Sequence, residues 1–465
     1  MTEAKFTKGS TMRHVLVMAS SGSVGLAAMF LADFINIYFV SLLGEVETAA
    51  VGYAVTITFF NTSVSIGLSI AVGAVVSHAI GSRRRQRARK YVLNSLIYSI
   101  AVALFTVAAL WPFLGDLLTL LGAKGRTHDV AMSFLKIAIP SMPLLVGAMA
   151  MSGVLRAVGD AKRGMMNTMA IAIVNAILDP IFIFALSMGV EGAAVAMVFA
   201  RGIAFAVGAY SVFVTHGLRT QFDWTRFKLH SVPITRVALP AILTNAATPI
   251  GTGFVVAAIS NFGDDAVKGF TIITRLAPLA FGPVFALSGS VGPILGQNLG
   301  AKLYDRIARA FSDSILVTFI YCISIASVLF LLQNSIASIF DAKGDAASLI
   351  HFYCTWIVFI FFFQATLFIA NASFNNLGRP TYSTMFNMGR ATIGTIPFVW
   401  LGTPYGPEGI VAATTLGASL FGVASFFVAK RHIRQLATGE AKPKHIPGGR
   451  RRGFPFPLWP FSRPK

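Results

Sequence analysis

The stretch "NAILDPIFIF", residues 175–184, places a carboxylate and a proline inside an apolar segment. Eight of its ten residues are apolar or proline, and Asp179 is followed directly by Pro180. The surrounding apolar segment spans about residues 164–188, which is long enough for a helix that crosses a bilayer. A charge deep in a bilayer is costly and usually faces a partner or a cavity. Asp179 is therefore the first candidate functional residue.

The composition is that of a protein that crosses a membrane many times. Of the 465 residues, 55% are hydrophobic and 12% are charged, and the mean hydropathy is +0.71. Soluble domains carry about 25% charged residues. The apolar runs are long and continuous rather than alternating, which predicts helices. We predict an all-α membrane protein with twelve transmembrane helices, at about 13–43, 48–80, 91–121, 129–157, 164–188, 191–216, 233–260, 266–296, 308–338, 346–376, 382–402 and 408–432.

The distribution of basic residues predicts the topology. Lys and Arg concentrate at the termini and in the even-numbered loops, whereas the odd-numbered loops hold only Lys124, Arg126, Lys268 and Lys343. Loops rich in Lys and Arg stay in the cytoplasm. We therefore expect a multi-pass protein of the inner (plasma) membrane with both termini cytoplasmic. The arginine run 83–85 is interpreted as a topology signal beside anionic lipid, and no nucleic-acid partner is expected.

The chain repeats itself with a shift of 219 residues. That shift aligns Gly81 in "IGSRRRQRARKY" with Gly300 in "LGAKLYDRIARAF", and Gly159 with Gly378. Six helices per repeat give two lobes that run the same way through the membrane, a parallel internal repeat. We predict an N-terminal lobe at 13–216, a cytoplasmic linker at 217–231, a C-terminal lobe at 232–432 and a disordered basic cytoplasmic tail at 433–465.

The charges inside the predicted helices suggest a coupling site in the N-terminal lobe. Helix lengths place Asp33, Asp179 and Arg201 roughly 13–15 Å below the outer surface. Asn36 shares a helix face with Asp33, and Asn175 shares one with Asp179. Since Pro180 removes a backbone N–H, the freed carbonyl of residue 176 could join these side chains in a cation or proton site on a hinged helix. The alternative is a structural Asp179–Arg201 ion pair.

The C-terminal lobe lacks a matching carboxylate site. Its deep charges are Arg275 and Arg390, and no acid accompanies them inside the helices. Pro240 in the seventh helix is a second candidate hinge, although proline kinks that serve only packing are equally common. The cysteines, Cys322 and Cys354, have no metal-binding spacing, so no metal site is predicted.

Four motifs together resemble the multidrug and toxic compound extrusion (MATE) family, across nearly all of 13–432. They are "GVLRAVGDAK" (153–162), "NAILDPIFIF" (175–184), "GVEGAAVA" (189–196) and "GPILGQNLGA" (292–301). The resemblance is to the prokaryotic branch that couples through its N-terminal lobe, and it implies that Asn175 and Asp179 carry the coupling cation. The sequence departs from the family by Asn36 where an Asp is usual, by Ser21 in place of a proline and by Met197 in place of a hydroxyl-bearing residue. Asp33, one turn before Asn36, could take over the role of the usual Asp. The losses favour protons over sodium, or a changed coupling scheme.

The resemblance implies a secondary antiporter that exports small organic, cationic and amphipathic compounds in exchange for protons or sodium by alternating access. Substrate would compete with the proton at Asp179, and Arg201 would hold Asp179 ionised or meet an anionic substrate. We expect a monomer in contact with membrane lipid, with no cofactor beyond the coupling ion. A flippase for lipid-linked precursors stays open because of Arg201, Arg275 and Arg390. A membrane enzyme is disfavoured, because no nucleophile motif, paired catalytic carboxylates or phosphate loop occurs.

Overall fold

The structure, a computed structural model, describes residues 4–441, and its regular elements over that range are all helical. Eleven continuous helical segments are long and apolar enough to cross a membrane. They are α1 (Thr11–Ser41), α2 (Glu45–Gly81), α3 (Gln86–Leu120), α4 (Gly125–Ala157), α5 (Ala161–Ala185), α6 (Gly189–Thr215), α7 (Trp224–Phe262), α8 (Asp264–Gly300), α9 (Tyr304–Ile339), α10 (Gly344–Asn376) and a last segment, Pro380–Thr438.

The last segment contains two crossings. Its 59 residues would extend about 88 Å as one helix, far beyond the ~30 Å of a bilayer core. A turn ends at Gly406, which has a φ of 76°, and α12 (Gly406–Thr438) then folds back on α11 (Pro380–Ala391 and Ile396–Gly402). The prediction of an all-α membrane protein with twelve crossings is thereby confirmed.

One helix begins inside the predicted linker, and another ends inside the predicted tail. The side chain of Asp223 accepts a hydrogen bond from the Arg226 N–H and starts α7 inside the predicted linker 217–231. At the other end of the chain α12 continues to Thr438, six residues into the predicted tail 433–465, because Ile433 and Leu436 are buried. Hydropathy locates the membrane-spanning part of a helix but not its polar extensions. The part of the tail from residue 442 onward lies outside the described residues.

The internal repeat is visible in the hydrogen bonds of the two lobes. In the N-terminal lobe the Ser69 hydroxyl donates to the Met149 carbonyl over 2.6 Å. In the C-terminal lobe the Ser288 hydroxyl donates to the Phe368 carbonyl over 2.7 Å. Both donor and acceptor are shifted by 219 residues between the lobes. The same hydrogen bond between the second and fourth helices therefore occurs in both lobes.

The two lobes meet closely where α2 and α8 end. We call this end of the bundle, which holds Gly81, Gly300 and both described ends of the chain, the terminal end, and the opposite end the far end. A Cβ at Gly81 would meet the Gln297 backbone, and a Cβ at Gly300 would meet the His78 carbonyl. The Gln297 side chain accepts from the Phe6 N–H over 3.0 Å and donates to the Ala157 carbonyl over 2.7 Å. The terminal end is thus closed by contacts between the lobes.

Asp160 stabilises the start of α5. It accepts the Arg163 N–H over 3.1 Å, Arg163 Nη1 over 2.6 Å and a 2.9 Å hydrogen bond with His216 Nε2. Burial alone would raise the pKa of Asp160, but these hydrogen bonds outweigh it and hold the pKa below its usual value. The carboxylate form is therefore favoured in the folded protein.

We expect Asp160→Ala to lower the free energy of unfolding by about 2 kcal/mol at neutral pH, measured by denaturation in mixed micelles. Because the folded-state pKa is depressed, the contribution is complete well above the usual value of about 3.9 and is lost as the pH falls through the folded value. Asp223→Ala is the matched control, because that cap is 41% exposed against 12% for Asp160. Equal losses for the two variants would contradict the role given to the buried cap.

Candidate functional site

The helix geometry of α5 changes at Pro180. The segment Ala161–Pro180 is α-helical, whereas Ile181–Ala185 winds as a π-helix. Proline lacks the N–H that would continue the i to i−4 ladder, so a change of winding is expected there. Gly192 of α6 lies against this turn, and a Cβ on it would be 2.6 Å from the Phe182 carbonyl oxygen. The irregular backbone lies next to Asp179, where the sequence predicted a hinge.

Asp179 is fully buried and contacts α1. Its exposed fraction is 0%, and Asn36 Nδ2 donates to Asp179 Oδ2 over 2.9 Å. The other carboxylate oxygen, Oδ1, has no hydrogen-bond partner, and neither has the buried Oδ1 of Asn175. Asn175 lies one turn before Asp179 on the same face of α5. Two buried acceptors without donors on one helix face form a site that can take a proton or a cation.

The remaining acid predicted for this site, Asp33, is not part of the hydrogen-bonded group. Its side chain is exposed, and it makes no hydrogen bond or ion pair within residues 4–441. Asn36, one turn later on α1, takes the place beside Asp179. The structure therefore brings together Asn36, Asn175 and Asp179 and leaves Asp33 at the surface of α1.

Arg201 joins α6 to α4 rather than to Asp179. Its Nη1 donates to the Ala138 carbonyl over 2.9 Å and to the Ser141 hydroxyl over 2.6 Å. No ion pair links it to Asp179 in the part of the chain that the structure describes. The Asp179–Arg201 pair considered from the sequence is wrong for this conformation. The break between Ala138 and Met142 frees acceptors of α4, and the guanidinium binds there instead.

Pro240 does not interrupt α7. The helix continues through it, and the Pro240 carbonyl accepts hydrogen bonds from Thr244 Oγ1 over 2.8 Å and Thr384 Oγ1 over 2.7 Å. The second of these joins α7 to α11. The role of Pro240 as a hinge stays a prediction.

A cavity of about 420 Å³ lies between the lobes. It is lined by residues of α1, α2, α4 and α5 on one side and of α7, α8, α10 and α11 on the other. None of Asp33, Asn36, Asn175, Asp179 or Arg201 lines it. Thr168, the residue of α5 that lines the cavity closest to Asp179 in the chain, lies 11 residues before it, about 16 Å along the helix. Direct competition for one site, as expected from the sequence, does not fit this separation.

Two cavity residues were missed in the sequence analysis. Arg156 belongs to "GVLRAVGDAK" and lies at the end of an apolar run, and the sequence analysis assigned it no role of its own. Asn375 occupies the equivalent position in the C-terminal lobe, 219 residues later. Both line the cavity. The repeat alignment was the available signal, since it pairs two polar residues at the same place in each lobe.

The comparisons with known proteins agree on one family. The MatE family model matches residues 23–181 and 240–401, most of the chain. The chain is 26% identical over 427 residues to an FAD transporter of Shewanella oneidensis, covering 90% of this chain and 94% of that protein. It is 25% identical over 406 residues to the "Probable multidrug resistance protein YpnP" of Bacillus subtilis, covering 85% and 91%.

Solved structures show the same fold. A crystal structure of MATE in complex with MaL6 superposes with a TM-score of 0.88 at 21% identity, covering 94% of this chain and 99% of that chain. A transporter of the MOP superfamily from Pyrococcus furiosus gives 0.87 at 21% identity, covering 93% and 98%. With twelve crossings in two repeated lobes and a match over both of them, the chain belongs to the MatE family of membrane transporters.

Proposed function

We propose that this protein is a secondary antiporter of the inner membrane that exports small organic compounds in exchange for protons or sodium by alternating access, with both termini in the cytoplasm. The observation that carries the proposal is the pair of buried acceptors without donors, Asp179 Oδ1 and Asn175 Oδ1. A buried carboxylate with one donor is stabilised by binding a proton or a cation. Asp179 is the residue that takes up the coupling ion.

The ligand set favours a proton over sodium. A hard cation prefers several oxygen ligands, whereas Asn36 turns its amide nitrogen toward Asp179. That leaves the Oδ1 atoms of Asn175 and Asp179 as the free side-chain oxygens described at this place. A proton on Asp179 Oδ1 would provide a donor for Asn175 and would need no further ligand. Sodium would require Asn36 to rotate its amide.

Coupling between the ion site and the cavity would pass along α1 and α5. Met29 of α1 and Thr168 of α5 line the cavity, and the same helices carry Asn36 and Asp179 toward the far end. Occupation of the ion site would change the Asn36–Asp179 hydrogen bond and thus how α1 lies against α5. A helix that contacts both sites can bias the two conformations that alternating access requires.

The size and lining of the cavity favour a small solute over a lipid-linked precursor. A cavity of about 420 Å³ lies within the range of small-molecule pockets, about 300–1,000 Å³. The alternative of a lipid flippase rested on three arginines, Arg201, Arg275 and Arg390. None of them lines the cavity. The similarity to an FAD transporter and to a multidrug resistance protein supports export of organic molecules.

Efflux from proteoliposomes tests the proposal. A pH gradient and a sodium gradient are imposed separately on vesicles loaded with a fluorescent dye, and dye release is followed against vesicles without protein. We expect release to be accelerated by the pH gradient. If only the sodium gradient accelerates dye release, the coupling ion is sodium rather than a proton. If neither gradient changes the rate of release, coupled antiport is rejected.

A further inference from the structure

The two walls of the cavity between the lobes differ in chemistry. The N-terminal lobe contributes mainly apolar side chains, among them Leu26, Met29, Ile66, Met149 and Met165, and one charged side chain, Arg156. The C-terminal lobe contributes hydroxyls and carboxamides, among them Thr248, Asn245, Asn371, Asn375 and Asn376. Methionines adapt to different apolar shapes, whereas carboxamides offer both donors and acceptors. A compound with one apolar face and one polar edge would match both walls.

Arg156 is the one charged side chain among the described residues that line the cavity, and no acid accompanies it. Its Nη1 donates to the Ser152 hydroxyl over 2.9 Å, and its Nη2 donates to the Ser69 hydroxyl over 3.0 Å. A guanidinium has five N–H donors, and hydroxyls do not neutralise its charge. Its Nε and remaining N–H groups are free to bind a further acceptor. A cavity with an uncompensated guanidinium attracts anions and repels cations.

A second arginine adds positive charge near the polar wall. Arg390 of α11 lies with its Nη2 3.3 Å from Thr248 Oγ1, and Thr248 lines the cavity. The helix is broken directly after Arg390, between Ala391 and Ile396. Arg390 itself does not line the cavity, but its charge next to Thr248 raises the electrostatic potential that a ligand meets.

The polar wall also carries acceptors that lack donors. The Oδ1 atoms of Asn375 and Asn376 are without hydrogen-bond partners. The Oδ1 of Asn371, by contrast, accepts a hydrogen bond from Asn387 Nδ2 over 3.0 Å. Asn375 is the repeat equivalent of Arg156. The pseudo-symmetric pair therefore offers a cationic donor from one lobe and an amide acceptor from the other.

We propose that this cavity binds anionic amphipathic compounds, with a carboxylate or phosphate at Arg156, N–H or O–H donors at Asn375 and Asn376, and an apolar ring face on the methionines. The proposal concerns the class of compound that the exporter binds, and it rests on the proposed function. It replaces the organic cations expected from the sequence, because a cationic group would lie beside Arg156 without an acid to pair with.

Two dyes on one xanthene scaffold separate the charge classes. The full chain in phosphatidylcholine nanodiscs is titrated with fluorescein, an anion, and with rhodamine 6G, a cation, and binding is followed by fluorescence anisotropy. We expect fluorescein to bind more tightly. Arg156→Gln should weaken its binding by about 10- to 100-fold, the effect of losing a charge-assisted hydrogen bond, whereas Arg156→Lys should retain most of it. Arg434→Gln, an exposed site on α12, is the control for net charge.

The repeat supplies variants that keep the test valid if Arg156→Gln misfolds. The exchange Arg156→Asn with Asn375→Arg moves the cation across the pseudo-symmetry axis and should preserve fluorescein binding. The isosteric change Asn375→Asp should weaken fluorescein and strengthen rhodamine 6G. Tighter binding of rhodamine 6G to the wild type, or an unchanged fluorescein affinity in Arg156→Gln, would overturn the proposal.

Two further points separate the possible sources of the anion and the two proposals. Adding phosphatidylglycerol displaces fluorescein only if lipid headgroups occupy the anion site, and the absence of displacement assigns the site to soluble anions. The dye titration uses no gradient and is read at Arg156, which lies outside the proposed ion site. Fluorescein binding that is lost in Arg156→Gln therefore supports the anion site even if the proteoliposome test rejects antiport.

Discussion

Asp179→Asn is expected to reduce gradient-driven export strongly while it leaves the protein folded. The carboxamide has nearly the same shape and still accepts the hydrogen bond from Asn36, but it cannot take up a proton. Coupling free energies between sites typically correspond to about 5- to 150-fold changes in affinity. We therefore expect uphill dye transport under a pH gradient to fall by about tenfold or more.

Counterflow separates a loss of coupling from a loss of binding. Downhill exchange of labelled for unlabelled dye across vesicles without a gradient should continue in Asp179→Asn, since the cavity does not include that residue. Asp33→Asn is the matched control, because it makes the same chemical change on an exposed carboxylate outside the hydrogen-bonded group. If Asp33→Asn removes uphill transport and Asp179→Asn does not, the assignment of the coupling residue is wrong.

Most of the fold was predictable because the bilayer restricts the chain to few solutions. Continuous apolar runs have to form helices whose length matches the membrane, and the predicted spans 382–402 and 408–432 correctly separate the two crossings of the last 59-residue segment. Polar helix extensions were not predictable from hydropathy. The start of α7 depends on the capping side chain of Asp223, and the end of α12 depends on Ile433 and Leu436, whose burial is tertiary.

Helix lengths predicted the depth of the candidate site residues but not their partners. Helix length placed Asp33, Asn36 and Asp179 in one layer, yet which side chain of α1 faces α5 depends on the rotation of the helix. In the structure Asn36 is the residue of α1 that donates a hydrogen bond to Asp179. Arg201 shared the layer, but the broken α4 offers the Ala138 carbonyl, which no hydropathy pattern reveals. The position of a residue along its helix therefore identifies candidate site residues, but only the packing of the helices shows which side chains contact each other.

Gly81→Ala and Gly300→Ala are expected to open the terminal end of the bundle. Each glycine is the last residue of its helix, and a Cβ on either would overlap backbone atoms of the other lobe. Overpacking of a close contact costs about 1–3 kcal/mol. Since about 1.4 kcal/mol is a factor of ten, each change should shift the ratio of closed to open terminal ends by about 5- to 150-fold. The lobes would then separate where α2 and α8 now meet.

Spin labels on the two lobes measure this opening. Arg89 and Ala308 are exposed, lie near the terminal ends of α3 and α9, and are equivalent in the repeat. Labels are placed there after the buried Cys322 and Cys354 are replaced by alanine. Electron–electron resonance should show longer distances in both glycine variants. Gly52→Ala is the control, because it lies in α2 with nothing within 4 Å of the added Cβ. Unchanged distances in Gly81→Ala and Gly300→Ala would mean that these close contacts do not hold the lobes together, so that closure depends on the Gln297 hydrogen bonds instead.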